Sequence, residues 1–148
     1  MGIKKKANPL ASVQYAALPY RTTERSEIEV LLVTSRTTKR WIIPKGWPLD
    51  GKSPHATAAH EAREEAGLVG KIAEHAIGSY SYMKRLKSGE AIECEVHVFP
   101  MEVTGQKRRW PEKGKREVQW FSTTAAATTI DDRALSDLIR VLETTESH

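Results

Sequence analysis

Trp41-Ile-Ile-Pro-Lys-Gly-Trp-Pro-Leu-Asp-Gly-Lys-Ser-Pro-His-Ala-Thr-Ala-Ala-His-Glu-Ala-Arg-Glu-Glu-Ala-Gly-Leu68 sets three carboxylates on one predicted helix, directly behind a glycine-containing turn. The helix is delimited at both ends. Ser53 suits the N-cap, Pro54 the first helical position, where a missing N–H is harmless, and Gly67 the left-handed residue after the last turn. The helix is therefore placed at about Pro54 to Ala66. Glu61, Glu64 and Glu65 stand at i, i+3 and i+4 and share a face, while Ala58, Ala59, Ala62 and Ala66 form a narrow apolar stripe that allows close approach to a sheet.

Like charges on one turn repel by a few tenths of a kcal/mol per pair, and something positive must offset them. Oxygen-only donors at this density suit a hard cation such as Mg²⁺ or Mn²⁺, which keeps water and accepts substrate phosphates at its open positions. The competing reading is a solvated acidic face with His60 and Arg63 as partial counter-charges. The capped helix, the strand-like Trp41-Ile42-Ile43 and the Pro44-Lys45-Gly46 turn favour the metal.

These residues resemble the signature of the Nudix hydrolases: Gly, five residues, Glu, seven residues, Arg-Glu, apolar, any, Glu-Glu, any, Gly, apolar. In this chain the series runs Gly46, Lys52, then His60-Glu61-Ala62-Arg63-Glu64-Glu65-Ala66-Gly67-Leu68, without a gap. The resemblance implies an α/β fold, an α/β/α sandwich with a mixed β-sheet, forming a single domain over residues 1–148. It implies metal-dependent hydrolysis of a phosphoanhydride, with Mg²⁺ (Mn²⁺ as the alternative) held by Glu61 and Glu65. Glu64 is then a ligand through water or the general base, and the Gly46 carbonyl, or that of Lys45, completes the shell. Lys45 would face a phosphate. A further carboxylate outside the helix often assists in the family; Glu112 is the first candidate here, then Glu93 or Glu95.

Two positions depart from the signature together, Lys52 for its first Glu and His60 for its Arg. In the family that pair braces the loop against the helix, so losing both strands no charge. The change bears on loop rigidity, metal affinity and rate, and leaves a weakly active or inactive variant open. Lys52 can instead bind a substrate phosphate. Trp41-Ile-Ile-Pro-Lys-Gly46 is similar to the Trp-x-x-Pro-Lys-Gly of diadenosine polyphosphate hydrolases, and Gly114-Lys-Arg-Glu-Val-Gln-Trp-Phe121 to a run in diphosphoinositol polyphosphate phosphohydrolases. The resemblance thus points to one of those two substrates. The alternatives are an oxidised nucleoside triphosphate or ADP-ribose, or a non-catalytic module that binds nucleotide or RNA.

Size and composition agree with one domain: 148 residues can bury roughly two-thirds of the unfolded surface. The lone Cys94 excludes an intramolecular disulfide, and its alternation with Glu93 and Glu95 reads as a strand with Cys94 packed inward, suiting a reducing cytoplasm. Residues 1–11 read as a flexible basic tail and 144–148 as a flexible end. Lys6 breaks the myristoylation pattern after Gly2, and no apolar run approaches the ~18 residues of a membrane span.

The chain carries 23 Lys and Arg against 19 Asp and Glu, a formal charge of +4. With the helix acids set aside, the remaining surface is positive. Arg36/Lys39/Arg40, Lys84/Arg85/Lys87 and Lys107/Arg108/Arg109 are expected to form a shared rim for a small-molecule polyphosphate, with Arg40 and Arg85 as binding candidates. Nucleic acid is the less favoured partner, and monomer and homodimer both stay open. Trp47, Tyr80, Tyr82 and Trp110 are candidates to stack on a base, whereas Trp120 and Phe121 read as core. The histidines His55, His60, His75, His97 and His148 lack metal-ligand spacing.

Strands are expected near Ser12 to Tyr20, Ile28 to Ser35, Val69 to Met83 with a break, Ala91 to Val103 and Glu117 to Phe121, the third and fourth forming a hairpin around Lys87-Ser88-Gly89. Leu135, Leu138, Ile139 and Leu142 predict a closing helix started by Asp131 or Asp132. Gly105 to Lys115, polar and basic, reads as a mobile substrate loop.

Overall fold

In the computed structural model, which describes residues 12–146, strand β1 (Val13–Thr22) turns back into β2 (Ile28–Thr34). The two strands pair only at their joined ends, from Tyr20↔Val30 to Thr22↔Ile28, and then diverge. The decisive stretch fills the gap. Within it β3 (Trp41–Ile42) pairs with Thr34 and Val33 of β2, and β4 (Lys45–Gly46) pairs with Ala16 and Tyr15 of β1. Ile43 and Pro44, both buried, carry the chain across, and the Pro44 carbonyl accepts the Ala17 N–H at 3.0 Å. A proline is well placed there, having no N–H of its own to leave unpaired.

Helix α1 (Pro54–Ala66) ends as the sequence predicts. Ser53 Oγ accepts the Ala56 N–H, Pro54 opens the first turn, and Gly67 sits at φ 70° with its N–H bonded to the Arg63 carbonyl. Strands β5 (Leu68–Ile72), β6 (Gly78–Arg85) and β7 (Ala91–Gln106) follow. β7 is the spine of the sheet: it pairs in parallel with β1 from Val13↔Glu95 to Tyr20↔Glu102, and its other edge takes β6 and then β5 antiparallel. β8 (Val118–Ser122) lies antiparallel beside β2, completing one mixed sheet of eight strands.

Alternation along the strands feeds two cores. β1 sends Ala16, Leu18 and Tyr20 to one face and Ala17 to the other; β7 sends Val96 and Val98 to the first and Phe99 and Met101 to the second. The first face is covered by α2 (Thr123–Thr129) and α3 (Arg133–Glu146), the second by α1, giving the expected α/β/α sandwich. On α1 the fully buried alanines are Ala58, Ala62 and Ala66; Ala59 is only half-buried and Thr57 takes its place against the sheet. On α3 Leu135, Ile139 and Leu142 are buried, and Asp132 rather than Asp131 starts the helix, its Oδ1 accepting the Leu135 N–H at 3.0 Å.

Several expectations change. α2 is a helix the sequence did not announce: Thr123-Thr-Ala-Ala-Ala-Thr-Thr129 has no spaced large apolar residues and four threonines, and it is held by the Ser122 cap and by burial of Ala126 and Ala127. β7 extends through Gly105 and Gln106, paired with Val69 and Leu68, so these two belong to the sheet and not to a loop. Residues 144–146 are the last helical turn, not a loose end, and Tyr20 Oη donates to Glu146 Oε1 at 3.1 Å. The tail expected over 1–11, and 147–148, lie outside the described residues. Cys94 is buried, as expected, and among the described residues no helix is long and apolar enough to cross a membrane.

Candidate active site

Gly46 lies directly under Glu61. A Cβ on Gly46 would stand 2.5 Å from the Glu61 carboxyl carbon, so only glycine lets that carboxylate seat against the loop. Glu61 in turn accepts a hydrogen bond from Glu65. Two carboxyl groups make such a bond only by sharing a proton, and burial places it on Glu65. Glu65 is 4% exposed, and burial, with Glu61 and Glu112 adding to it, pushes its pKa up to about 8 against the pull of Arg116 and Lys45. Burial also raises Glu61, while its bond to Glu65 and the nearby His60 act in the opposite direction.

Glu65 Oε1 is buried without a hydrogen-bond partner. Arg116 Nε stands 3.9 Å from it, an ion-pair distance too long for a hydrogen bond. Arg116 is engaged elsewhere: its Nε donates to Glu112 Oε1 at 2.6 Å and its Nη1 to the Thr34 carbonyl at 3.0 Å. The Glu112 N–H bonds to the Glu64 carbonyl at 3.1 Å, and the Trp110 ring covers Gly67. The segment after Gln106, expected to be a mobile substrate loop, is instead pinned to α1 by these contacts.

Lys45 lies close enough to Glu65 for the two charges to act on each other. Its Nζ lies 5.0 Å above the Tyr82 ring, and Tyr82 Oη donates to Gln14 Oε1 at 2.7 Å. Burial lowers the Lys45 pKa to about 8; Glu65 resists that shift, and Lys84 and Arg116 reinforce it. Lys45, Glu65 and Arg116 line a chamber of about 250 Å³. Ile42, Lys45, Tyr82 and Lys84 belong both to this chamber and to a larger cleft of about 650 Å³, so the two adjoin.

The sequence-predicted residues divide accordingly. Glu61, Glu65, Gly46 and Lys45 come together, and Glu64 is near enough for its charge to raise Glu61. Glu112, the first candidate for the extra carboxylate, acts on both Glu61 and Glu65. Glu93 and Glu95 are exposed on β7, with Glu95 Oε1 3.7 Å from His97 Nε2. Arg40 and Arg85 line the larger cleft and Arg36 the chamber. The expected shared rim is therefore formed by two clusters, not three: Lys107, Arg108 and Arg109 line neither space, and the Lys107 N–H is tied to the Gly67 carbonyl. Trp47 is 41% exposed and outside both spaces, and Lys52 is exposed in the turn before α1. Tyr80 and Tyr82 line the cleft, whereas Trp110 packs on Gly67.

Trp41 and Arg116 are site residues that sequence reasoning did not assign, and Lys84 was foreseen only as part of a basic cluster. Arg116 lay inside the quoted Gly114 to Phe121 run, but nothing local says that it reaches back to Thr34. A divalent cation fits the donors present. Glu65 Oε1 lacks a partner, and the carboxylates of Glu61 and Glu112 act on the same group, so oxygen ligands suited to a hard cation converge there. Among the described residues no group of three or more His, Cys, Asp or Glu stands together so as to hold a metal ion by itself.

The shared proton has a measurable consequence in the metal-free chain. Between the ordinary value of 4.5 and about 8, the folded chain holds a proton on Glu65 that the unfolded chain has released. This site's contribution to stability is fully present below 4.5 and is lost as pH rises to about 8, by at most ~1.4 kcal/mol per pH unit. Lys45, lowered from 10.5 to about 8, acts with the opposite sign and only above that window. The Tm in a chelator is expected to fall across this range and Glu65→Gln to flatten the fall; an equal slope in both chains would refute the shared proton.

A family model described as NUDIX domain matches residues 13–141. The chain is 33% identical over 117 residues to Nudix hydrolase 17, mitochondrial, of Arabidopsis thaliana, covering 78% of this chain and 62% of that protein. It is 29% identical over 122 residues to diphosphoinositol polyphosphate phosphohydrolase 3-alpha of Mus musculus, covering 81% and 65%. Its fold matches the C. elegans Ap4A hydrolase with a TM-score of 0.64 at 17% identity, over 90% of this chain and 97% of that one. The chain thus spans somewhat less than two-thirds of the length of these two curated relatives. A glycine under a helix carboxylate, on a loop that bridges two diverging strands, is what the spacing from Gly46 to Leu68 encodes, and by that match this chain belongs to the NUDIX domain family.

Proposed function

We propose that the chain hydrolyses a phosphoanhydride bond of a polyphosphorylated small molecule, with Mg²⁺ or Mn²⁺ held by Glu61 and Glu65 and supported by Glu112 and the Gly46 carbonyl. One observation carries this reading: a buried carboxylate oxygen of Glu65 without a partner, in a chamber that also holds Lys45 and Arg116. The bound cation would polarise the phosphoryl oxygens and lower the pKa of water. Glu64, half-buried on the same helix, would take the proton from attacking water. Lys45 and Lys84 oppose the charge that develops on the leaving oxygens, while Arg40 and Arg85 hold the rest of the substrate. A diadenosine polyphosphate and a diphosphoinositol polyphosphate are the leading substrates; the names of the C. elegans and mouse relatives support one each.

Lys52 and His60 support a second reading, a module that binds without turnover. The two separate cleanly in a product-release assay on diadenosine polyphosphates, diphosphoinositol polyphosphates, ADP-ribose and nucleoside triphosphates, with Mg²⁺, Mn²⁺ or chelator. Metal-dependent turnover is expected, reduced by about a hundredfold in Glu64→Gln. Binding without turnover on any member would leave the second reading. Cys94, buried and single, suits a reducing compartment. The cytoplasm remains our proposal, since Nudix hydrolase 17 carries the word mitochondrial in its name.

A further inference from the structure

The cleft is charged unevenly along its length. The small chamber is lined by Arg36, Lys45, Lys84 and Arg116 against the single carboxylate of Glu65. The part of the larger cleft outside that chamber carries Arg40 and Arg85 against Asp131 and Asp132. Between these charges its wall is apolar, from Trp41, Tyr80, Met83, Ile130 and Leu135. Trp41 is fixed by an edge contact to Phe121, ring centroids 5.1 Å apart.

Asp131 is held in this wall by its neighbours. Ile130 before it is buried, with its N–H on the Ala126 carbonyl, and Asp132 after it caps α3. Arg85 is partly spent, its Nη1 donating to the Gly89 carbonyl at 2.9 Å. The outer cleft is thus close to neutral and apolar, with one exposed carboxylate, while the inner chamber is strongly positive. An inositol pyrophosphate carries phosphate around its whole ring and would press some of it against Asp131. A nucleoside polyphosphate concentrates its charge at one end and offers aromatic surface and hydrogen-bond donors at the other.

We propose that Asp131 is a specificity-determining residue of this cleft, accepting a hydrogen bond from the sugar or base of a nucleoside and turning phosphate away from the outer end. The proposal rests on the reading of the cleft as the substrate site. Like charges opposed across a binding surface exclude wrong partners, and this repulsion adds to the contacts that favour the right one.

The test is calorimetric titration, with Mg²⁺, of a methylene-bridged diadenosine tetraphosphate analogue and of inositol hexakisphosphate into the wild-type chain, Asp131→Asn and Asp131→Arg. The wild type is expected to prefer the dinucleotide analogue. Asp131→Asn should tighten inositol hexakisphosphate by about fivefold at low salt and Asp131→Arg by more, while the analogue weakens. A ratio of the two dissociation constants that stays within about twofold in both variants, or a wild type that prefers inositol hexakisphosphate, overturns the proposal. A wild type that binds neither probe removes the cleft reading as well. A shifted binding ratio without hydrolysis of any parent compound would sink the proposed reaction alone and leave Asp131 in its role.

Discussion

Glu65→Gln is expected to lower kcat by at least about a hundredfold, as does removal of one preorganised electrostatic group from a reaction centre. Its effect on folding should run the other way. Glutamine keeps the shape of Glu65 and can donate its amide N–H to the Glu61 carboxylate, so the bond made by the shared proton survives without that proton. The neutral side chain also removes the cost of ionising a carboxyl group that is almost fully buried. In a chelator near pH 8 the variant should therefore melt at or above the wild type, and added Mg²⁺ should raise its Tm less. Loss of activity with gain of metal-free stability is a combination that simple misfolding does not produce. Turnover within tenfold of wild type, at saturating metal, would exclude Glu65 from the proposed metal site.

Arg116→Met is expected to be the most destabilising single change at the site, by about 3–5 kcal/mol, the range for removing one partner of a buried ion pair. The Arg116 side chain is 12% exposed and that of Glu112 23%. Methionine fills much of the volume but removes three things at once: the donor to Glu112, the donor to the Thr34 carbonyl, and the positive charge nearest Glu65. At about 2–4 °C per kcal/mol for a chain of this size, the Tm should fall by roughly 10 °C. Glu112→Gln added to Arg116→Met should recover part of the loss, because one of the stranded carboxylates is then neutral. Arg116→Lys should fall between, since a lysine keeps the charge but cannot serve Glu112 and Thr34 together. A loss under about 1 kcal/mol in Arg116→Met would show that water replaces the guanidinium freely.

The parts of this site that a sequence discloses are those built by local geometry. Ser53, Pro54 and Gly67 bound α1 through bonds made within a turn, and i, i+4 spacing alone brings Glu61 beside Glu65. The closing helix was legible for the same reason, from Leu135 to Leu142. What stayed hidden depends on register between distant strands. Arg116 reaches Thr34 only because β8 lies beside β2, and the basic residues near 36–40 and 84–85 meet only because β3 and β6 flank one cleft. Charge clusters were visible, but their convergence was not, and one of the three turned elsewhere. α2 escaped because seven residues rich in threonine and alanine have no periodic signal and owe their helicity to the cap and the core. The Gly105 to Lys115 segment looked mobile because its polarity is local, whereas its anchors, Gly67, Glu64 and Arg116, are set by the fold.

The parallel pairing of β1 with β7 also sets an order of events during synthesis. The partners of Val13 to Tyr20 are Glu95 to Glu102, which leave the ribosome only after α1 and the whole of β6. At ~5–20 residues per second, β1 waits for several seconds with one edge unpaired. Until then only the short β4 and the end of β2 pair with this strand, α1 covers the Ala17 face alone, and the edge meant for β7 stays open. β1 bears Gly46 through β4, so the nascent chain has no fixed platform beneath Glu61 until its seventh strand arrives. The same residues that later seat the carboxylate are, for that interval, a sticky edge for chaperones or for another copy to find.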